Sequence, residues 1–294
     1  MGLVIADINF RKAFPEGFGK NIEAYPEGIV LPINKPYRWT SADVIRKIKF
    51  LACRHFGKKN LKVGHAGTLD PLATGLLLVC IGKATKLAET FQKHDKEYLA
   101  GVSFGATTPS YDLEKDVDRF YPYEHITEDA VKDAVKGFLG EQEQVAPLFS
   151  AKSVDGIRAY EMARSIYRKA KAGDSGAVLD SQAESLLSRQ IIKIHEIEVE
   201  GFYADGGSRP PVLDEDDRCR INVADTPHLK LPRAQIRVVC SKGTYIRALA
   251  RDLGEALGSG AYLDSLCRTR TGDFVLEEAL SVKDAVKCFF SPVD

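Results

Sequence analysis

The stretch GHAGTLDPLATGLLLVCI (64–81) sets a single carboxylate, Asp70, among Gly64, His65, Gly67, Thr68 and Gly75, directly before Pro71 and ahead of an apolar run. Aspartate before proline is a common turn initiator, and on residue type alone a turn is the first reading of Asp70. Gly64 and Gly67 let a ligand approach the backbone closely, and His65 and Thr68 add hydrogen-bonding groups. A metal site is poorly supported, because one Asp and one His five residues apart lack further ligands at a recognisable spacing. No GxxxxGK[ST] phosphate loop is present. A carboxylate on a loop leading into a strand can also act as nucleophile or general base. The turn and the nucleophile both stay open at this point.

Three further groups could carry chemistry. CSKGTYIRALARDLG (240–254) places Lys242, Arg247 and Arg251 around a helix start, which suits a polyanion, and Tyr245 can stack or donate a hydrogen bond. The plainer alternative is a core Tyr245 with solvated arginines. NKPYRWTSADV (34–44) interleaves Lys35 and Arg38 with Tyr37 and Trp39, as in single-stranded RNA contacts, although a surface turn looks similar. PLFSAKSVDGIRAYEMAR (147–164) adds Lys152, Arg158 and Tyr160, or is a loop running into a helix. Together they suggest an RNA-facing cleft.

The elements that must position these groups follow from periodicity. Residues 28–36 read as a buried strand stopped by Pro36. Thr40 and Asp43 form a capping box for an amphipathic helix over 42–55, whose polar face is basic. Strands are expected at 76–81, 96–105, 189–202 and 233–241. Helices are expected at 127–140, 155–170, from 245 to Gly258, and at 281–290. Residues 1–28 read as a loosely packed N-terminal extension, and 171–187 and 203–230 as polar insertions. Strands and helices mixed without regular βα alternation predict an α+β fold.

The chain of 294 residues carries 41 Lys plus Arg against 41 Asp plus Glu, which excludes a uniformly basic nucleic-acid binder but not a local basic face. RKIKFLACRHFGKKNLK (46–62) is such a basic run, and its plainest reading is a solvated face. Six cysteines lie without a CxxC pair, mostly among apolar neighbours, which points to reduced, buried thiols in a cytoplasmic protein and away from zinc. No apolar stretch approaches membrane-span length, and no secretory signal is visible.

The combination of motifs resembles the TruB-type tRNA pseudouridine synthases over nearly all of residues 28–281. GHAGTLDPLATGLL is similar to the family's signature loop, NKPYRWTS to its KPxGxTS motif, KEY (96–98) to its tyrosine strand, and PLFSAKSVDGIRAYEMAR to its PPxYSAxKxxGxRAYxxAR segment. CSKGTYIRALARDLG is similar to its CSxGTYIRxLxxDLG motif, and LDSLCRTRTGDF (263–274) to its LxRxxxGxF element. The resemblance implies a pseudouridine synthase fold, with a mixed, mainly antiparallel sheet flanked by helices and an RNA-binding cleft. It implies isomerisation of a uridine in the T-loop of tRNA, by a monomer using neither cofactor nor metal. Asp70 would be the catalytic carboxylate, attacking the flipped uracil or its ribose C1′. Arg247 would pair with Asp70, Tyr98 would stack on the uracil and Leu266 would wall the pocket. His65 would fill the space of the flipped nucleotide, and Lys35 and Tyr245 would support the pocket.

The chain departs from that pattern at Arg38, where the family usually has glycine, at Leu148 and Phe149, and after Tyr98, where Asp112 stands for the usual aspartate. Residues 29–294 are expected to form one catalytic domain without the PUA domain many relatives carry. Two rival readings are an RNA chaperone that folds tRNA without needing Asp70 and a guide-RNA-dependent enzyme acting on ribosomal RNA.

Overall fold

The computed structural model describes residues 2–147, 153–154, 157–158, 189–207, 221 and 223–290. Its strands are β1 (Val4–Ile5), β2 (Ile29–Lys35), β3 (Val63–Ala66), β4 (Ala73–Ile81), β5 (Lys96–Phe104), β6 (Ala106–Thr107), β7 (Arg119–Phe120) and β8 (Gly140–Val145), then β9 (Ser153–Val154), β10 (Ile157–Arg158), β11 (Arg189–Tyr203), β12 (Arg233–Cys240), β13 (Ala261–Thr271) and β14 (Phe274–Val275). Its helices are α1 (Phe10–Ala13), α2 (Ser41–Phe56), α3 (Ala88–Lys93), α4 (Glu128–Lys136), α5 (Ile246–Ala256) and α6 (Val282–Phe289). Ten strands form one sheet in the order β1-β2-β4-β13-β5-β12-β11-β8, with β3 on β4 and β14 on β13. The β1–β2 and β4–β13 pairs are parallel and the others antiparallel, so the sheet is mixed and mainly antiparallel, as expected.

Strand β4 explains the apolar run after Asp70. Leu77, Val79 and Ile81 enter the large core beneath α2 and α6, while Leu76, Leu78 and Cys80 enter a second core with Ala84 and Phe91. A strand covered on both faces needs no polar alternation. Helix α2 carries the expected capping box: Thr40 Oγ1 accepts from the Asp43 amide at 3.0 Å, and Asp43 Oδ2 accepts from the Thr40 amide at 2.9 Å. Helix α4 is capped by Thr127 but ends at Lys136, short of the expected Gly140, which instead opens β8.

The centre of the sheet is held by polar groups. The Arg233 Nε of β12 donates to Asp264 Oδ2 of β13 at 2.8 Å, and Ser103 Oγ of β5 donates to the same oxygen at 2.8 Å. Both ionic side chains are almost wholly buried. A Cβ at Gly101 would lie 2.2 Å from Arg233 Nη2, so glycine is what admits this pair between the strands. These charges also hid β13 from sequence reading, because Asp264, Arg268 and Arg270 break its apolar pattern. Local apolar periodicity likewise does not mark the polar β8 (GEQEQV) or the short β3 inside the glycine-rich loop.

Two expectations are corrected. Residues 1–28 are not loosely packed: β1 pairs with β2, and Phe10, Phe18 and Ile22 are buried in the main core. Phe18 meets Phe10, Tyr25 and Phe289 at ring-centroid distances of 4.6, 5.7 and 5.1 Å. The helix expected from 155 does not begin there, because Ile157–Arg158 pairs antiparallel with Ser153–Val154. The remainder of that segment, the 171–187 insertion and 208–220 of the second insertion lie outside the described residues. Because Phe18 is a core side chain, Phe18→Ala should destabilise the fold by about 3 kcal/mol or more. An unchanged midpoint in urea unfolding would show that the N-terminal segment contributes nothing to the core.

Candidate active site

The loop between β3 and β4 carries Asp70 and is pinned from three sides at alternate residues. Arg268 Nη2 donates to the Gly67 carbonyl at 3.1 Å, and Lys35 Nζ donates to the Pro71 carbonyl at 3.2 Å. Between them, Ser41 Oγ accepts from the Leu69 amide at 2.9 Å and donates to the Leu69 carbonyl at 3.2 Å. Leu69 and Leu72 are buried on either side. The Asp70 carbonyl accepts from the Ala73 amide at 3.1 Å, so Asp70 does start a turn, with Pro71 at its second position. With the backbone thus committed, the Asp70 side chain remains 38% exposed and faces a cleft.

Its partner comes from the first turn of α5. Arg247 Nε donates to Asp70 Oδ2 at 2.8 Å and Nη2 to Oδ1 at 3.2 Å, a two-pronged contact that fixes the plane of the carboxylate. Arg247 Nη1 donates to the Ser110 carbonyl at 3.1 Å, and Asp112 Oδ2 lies 3.8 Å from Arg247 Nε. The guanidinium is buried and serves two carboxylates of unequal exposure. Burial pushes the Asp112 carboxyl up, against the opposing pull of Arg247 and the Ser110 hydroxyl. Burial pulls the Arg247 guanidinium down, but the Asp70 and Asp112 charges outweigh it and its pKa ends above the ordinary value.

The cleft has a volume of about 660 Å³ and is lined by Asp70, Tyr98, Tyr245, Arg247 and Leu266, together with Lys96, Lys242 and Arg268. Tyr98 and Leu266 come from adjacent strands: Tyr98 is paired with Arg268, and Leu266 with Ala100 and Ala73. Burial raises the Tyr98 phenol above its ordinary pKa despite the Arg268 charge, which keeps it neutral near pH 7. Tyr245 is the N-cap residue of α5 rather than a member of its apolar face, and its backbone exchanges hydrogen bonds with the Gln144 side chain of β8.

Two expected residues lie elsewhere. Lys35 is fully buried, with Nζ donating to the carbonyls of Pro36 (2.8 Å), Trp39 (2.5 Å) and Pro71 (3.2 Å), so it braces the Asp70 loop and does not reach the cleft. His65 sits on β3 opposite Val79, off the cleft wall, and burial lowers its pKa, helped by Arg268. Arg38, standing where a glycine is usual, adopts a left-handed φ of 63°. Its Nε and Nη2 both donate to the Ile221 carbonyl, at 3.1 and 2.9 Å. That contact offsets the backbone strain and ties the second insertion to a cluster containing Leu72 and Leu113.

Arg268 and Lys96 lie within the LxRxxxGxF-like and KEY motifs, yet the resemblance gives neither a role, and both line the cleft. Arg268 is buried, with Nε donating to the Leu76 carbonyl at 2.7 Å, and Gly75 opposite it has φ +99°. A Cβ on Gly75 would meet the Arg268 carbonyl oxygen at 2.3 Å, so that glycine lets β4 lie against β13. The signal the sequence offers for Arg268 is its place as the arginine of the LxRxxxGxF-like element, two residues beyond Leu266. Lys96 caps the C-terminal end of α3, donating to the carbonyls of Gln92 (2.5 Å) and His94. Burial first, then Arg268, lowers its pKa to about 8. Among the described residues no group of three or more His, Cys, Asp or Glu side chains is placed to hold a metal ion, and no helix is long and apolar enough to cross a membrane.

A family model described as "TruB family pseudouridylate synthase (N terminal domain)" matches residues 54–172. Proteins named tRNA pseudouridine synthase B from Phocaeicola vulgatus and Bacteroides thetaiotaomicron are 48% and 49% identical to this chain, over 88% and 87% of it and 92% and 90% of their own lengths. Among solved structures, a Cbf5-Nop10-Gar1 complex aligns with a TM-score of 0.55 at 26% identity, over 92% of this chain and 58% of that one. An H/ACA RNP bound to a substrate RNA containing 2'-deoxyuridine aligns with a TM-score of 0.53 at 25% identity, over 93% and 58%. The chain therefore spans less than two thirds of those solved relatives.

The depressed Lys96 pKa has a measurable consequence. Between about pH 8 and the ordinary lysine value of 10.5 the unfolded chain holds the extra proton, so stability should rise with pH across this window. The rise in unfolding free energy measured by urea titration should be larger in the wild-type protein than in Lys96→Met. Identical pH profiles would place the Lys96 ammonium in water.

Proposed function

Because the chain belongs to the TruB family of pseudouridylate synthases, we propose that it isomerises uridine to pseudouridine in the T-loop of tRNA, with Asp70 as nucleophile and the target base flipped into the cleft. The relatives named tRNA pseudouridine synthase B match over nine tenths of their length, which supports tRNA as substrate. The observation that carries the reading is the Asp70 carboxylate, partly exposed to the cleft and gripped through both oxygens by a buried arginine.

In this reading the two-pronged contact fixes the plane of the Asp70 carboxylate and aims it at the substrate. A uridine inside a folded loop is stacked, and extruding it costs a few kcal/mol, which the protein offsets with the Tyr98 face and the Leu266 side chain. Attack by Asp70 releases the N1–C1′ bond. The freed uracil turns within the pocket and C5 attacks C1′, breaking the bond that Asp70 made there and returning its carboxylate; the C5 proton leaves and N1 takes one up, so the reaction balances without a co-reactant. Tyr98, neutral at this pH, contributes a stacking surface and a hydrogen-bonding oxygen. Arg268, Lys35 and Ser41 hold the loop and act on the reaction only through Asp70.

Asp70→Asn should abolish pseudouridine formation in a T-stem-loop transcript while leaving RNA affinity near wild type. Turnover by that variant would eliminate Asp70 as nucleophile. The same assay, run with purified protein and no other RNA, separates the proposal from the guide-dependent reading, which requires an added guide.

A further inference from the structure

Strands β8 and β11 hold the turn that leads into α5 through a row of polar contacts with no part in the chemical step itself. Gln144 of β8 stands directly opposite Gln190 of β11, so the two carboxamides share one face of the sheet. Gln144 Oε1 accepts from the Tyr245 amide at 2.9 Å, and its Nε2 donates to the Tyr245 carbonyl at 3.1 Å. Gln190 Nε2 donates to the Gly243 carbonyl. Ser241 completes the row. Its amide donates to the Lys193 carbonyl at 2.8 Å, and its Oγ accepts from the Lys193 amide at 2.9 Å. The turn from Ser241 to Tyr245, which lines the cleft, is thereby held at every second residue.

Gln144 has the most to transmit of these residues. It is 2% exposed and lies outside the lining of the cleft. Tyr245 has an extended backbone (φ −94°, ψ 109°), and its side chain supplies no cap to α5. Its carbonyl already accepts the first helical bond, from the Leu249 amide at 3.1 Å, so Gln144 meets the second lone pair. The carboxamide thus pairs with Tyr245 much as a neighbouring strand would, and the helix starts from that anchored residue. Arg247 follows two residues later. One turn further on, Arg251 Nη2 donates to the carbonyl of Val145, the residue after Gln144, at 3.0 Å. Two consecutive residues of β8 therefore hold α5 on either side of Arg247. The grip they support has little play. Arg247 Nη2 is 3.2 Å from Asp70 Oδ1, and a hydrogen bond is lost beyond about 3.5 Å. A small shift of the helix start opens that prong and frees the carboxylate plane to turn.

We propose that Gln144 is a positioning residue for pseudouridine formation: its carboxamide sets the start of α5 and, through it, the two-pronged grip of Arg247 on Asp70. This inference rests on the reading of Asp70 as nucleophile and extends it to a residue that acts only through Arg247. Gln190 steadies the same turn two residues earlier, at Gly243. A carboxamide suits the task because it offers one acceptor and one donor side by side, matching the N–H and C=O of a single extended residue. An apolar side chain of similar size fills the space and leaves both Tyr245 groups buried and unmet.

The experiment reads Arg247 directly and then the reaction. In the wild-type protein the Arg247 Nε–H, identified by NMR through its absence in Arg247→Lys, should be protected from solvent exchange by Asp70. Gln144→Leu should shift that resonance and remove its protection. In a T-stem-loop transcript the same variant should lower the single-turnover rate by up to roughly 10²-fold, the scale of a misplaced catalytic group, with RNA affinity near wild type. Phe18→Ala, which destabilises the fold far from α5, serves as control and should keep both the resonance and the rate. Gln144→Asn, with a carboxamide one methylene too short to meet both Tyr245 groups, gives the same two readings should the leucine variant not fold. An unchanged Arg247 resonance in the Gln144 variants, or an equal loss of rate in Phe18→Ala, would overturn the positioning role. Absence of pseudouridine formation by the wild-type protein would overturn the proposed reaction alone, because the resonance still decides what Gln144 does.

Discussion

The ion pair between Arg247 and Asp70 is the contact around which the rest of the site is arranged. A guanidinium taken out of water costs several kcal/mol unless its donors are all met. Here Nε and Nη2 go to Asp70 and Nη1 to the Ser110 carbonyl, with Asp112 within 3.8 Å. One buried cation thus faces two carboxylates, and the surplus negative charge falls on two different environments. Asp112 is enclosed and its carboxyl is pushed up by burial, whereas the Asp70 side chain stays open to the cleft. The positive end of α5, at whose first turn Arg247 sits, adds to the field holding both anions. The pair also joins distant parts of the chain, because Asp70 and Arg247 are 177 residues apart.

Such a pair keeps its geometry only if its supports do not move, and the supports are buried cations. Lys35, Arg268 and Arg233 are each nearly inaccessible; Lys35 and Arg268 donate to backbone carbonyls, and Arg233 donates to Asp264, Gln235 and Ser265 inside the sheet. Removing any one partner would strand a charge in the interior. Gly101 leaves room where a Cβ would strike the Arg233 guanidinium, and Gly75 leaves room where one would strike the Arg268 backbone. The polar interior therefore acts as a frame for the Asp70 loop, and the apolar faces of β4 supply the burial that holds the frame together.

The arrangement of charge on the surface is consistent with a polyanionic substrate even though the whole chain is electroneutral. Glu141 and Glu143 stand on β8, while the stretch from Lys58 to Lys96 carries seven lysines against three acids. Fields from fixed charges act over about a Debye length, so local segregation matters more to RNA than the sum over the molecule.

Much of this was legible in the residues. The capping box of α2, the buried β4 run, the Tyr98 strand and the apolar face of α5 follow from local periodicity and cap chemistry, which neighbouring residues decide among themselves. The motif around Asp70 likewise marked the loop, and its turn reading survives beside the nucleophilic one. Other features depended on partners remote in sequence. Strand β13 carries three charges and looks like a surface segment until Arg233 and the carbonyls of Gly67 and Leu76 are brought against it. Lys35, read beside Tyr37 and Trp39 as a pocket support in an RNA-contact motif, is a buried brace of the Asp70 loop, and Phe18 reads as part of a loose arm and is in fact core. Local sequence determined which elements form. Tertiary structure decided which polar side chains are buried and paired, because the cost of burying a charge is set by partners that only the folded chain brings within reach.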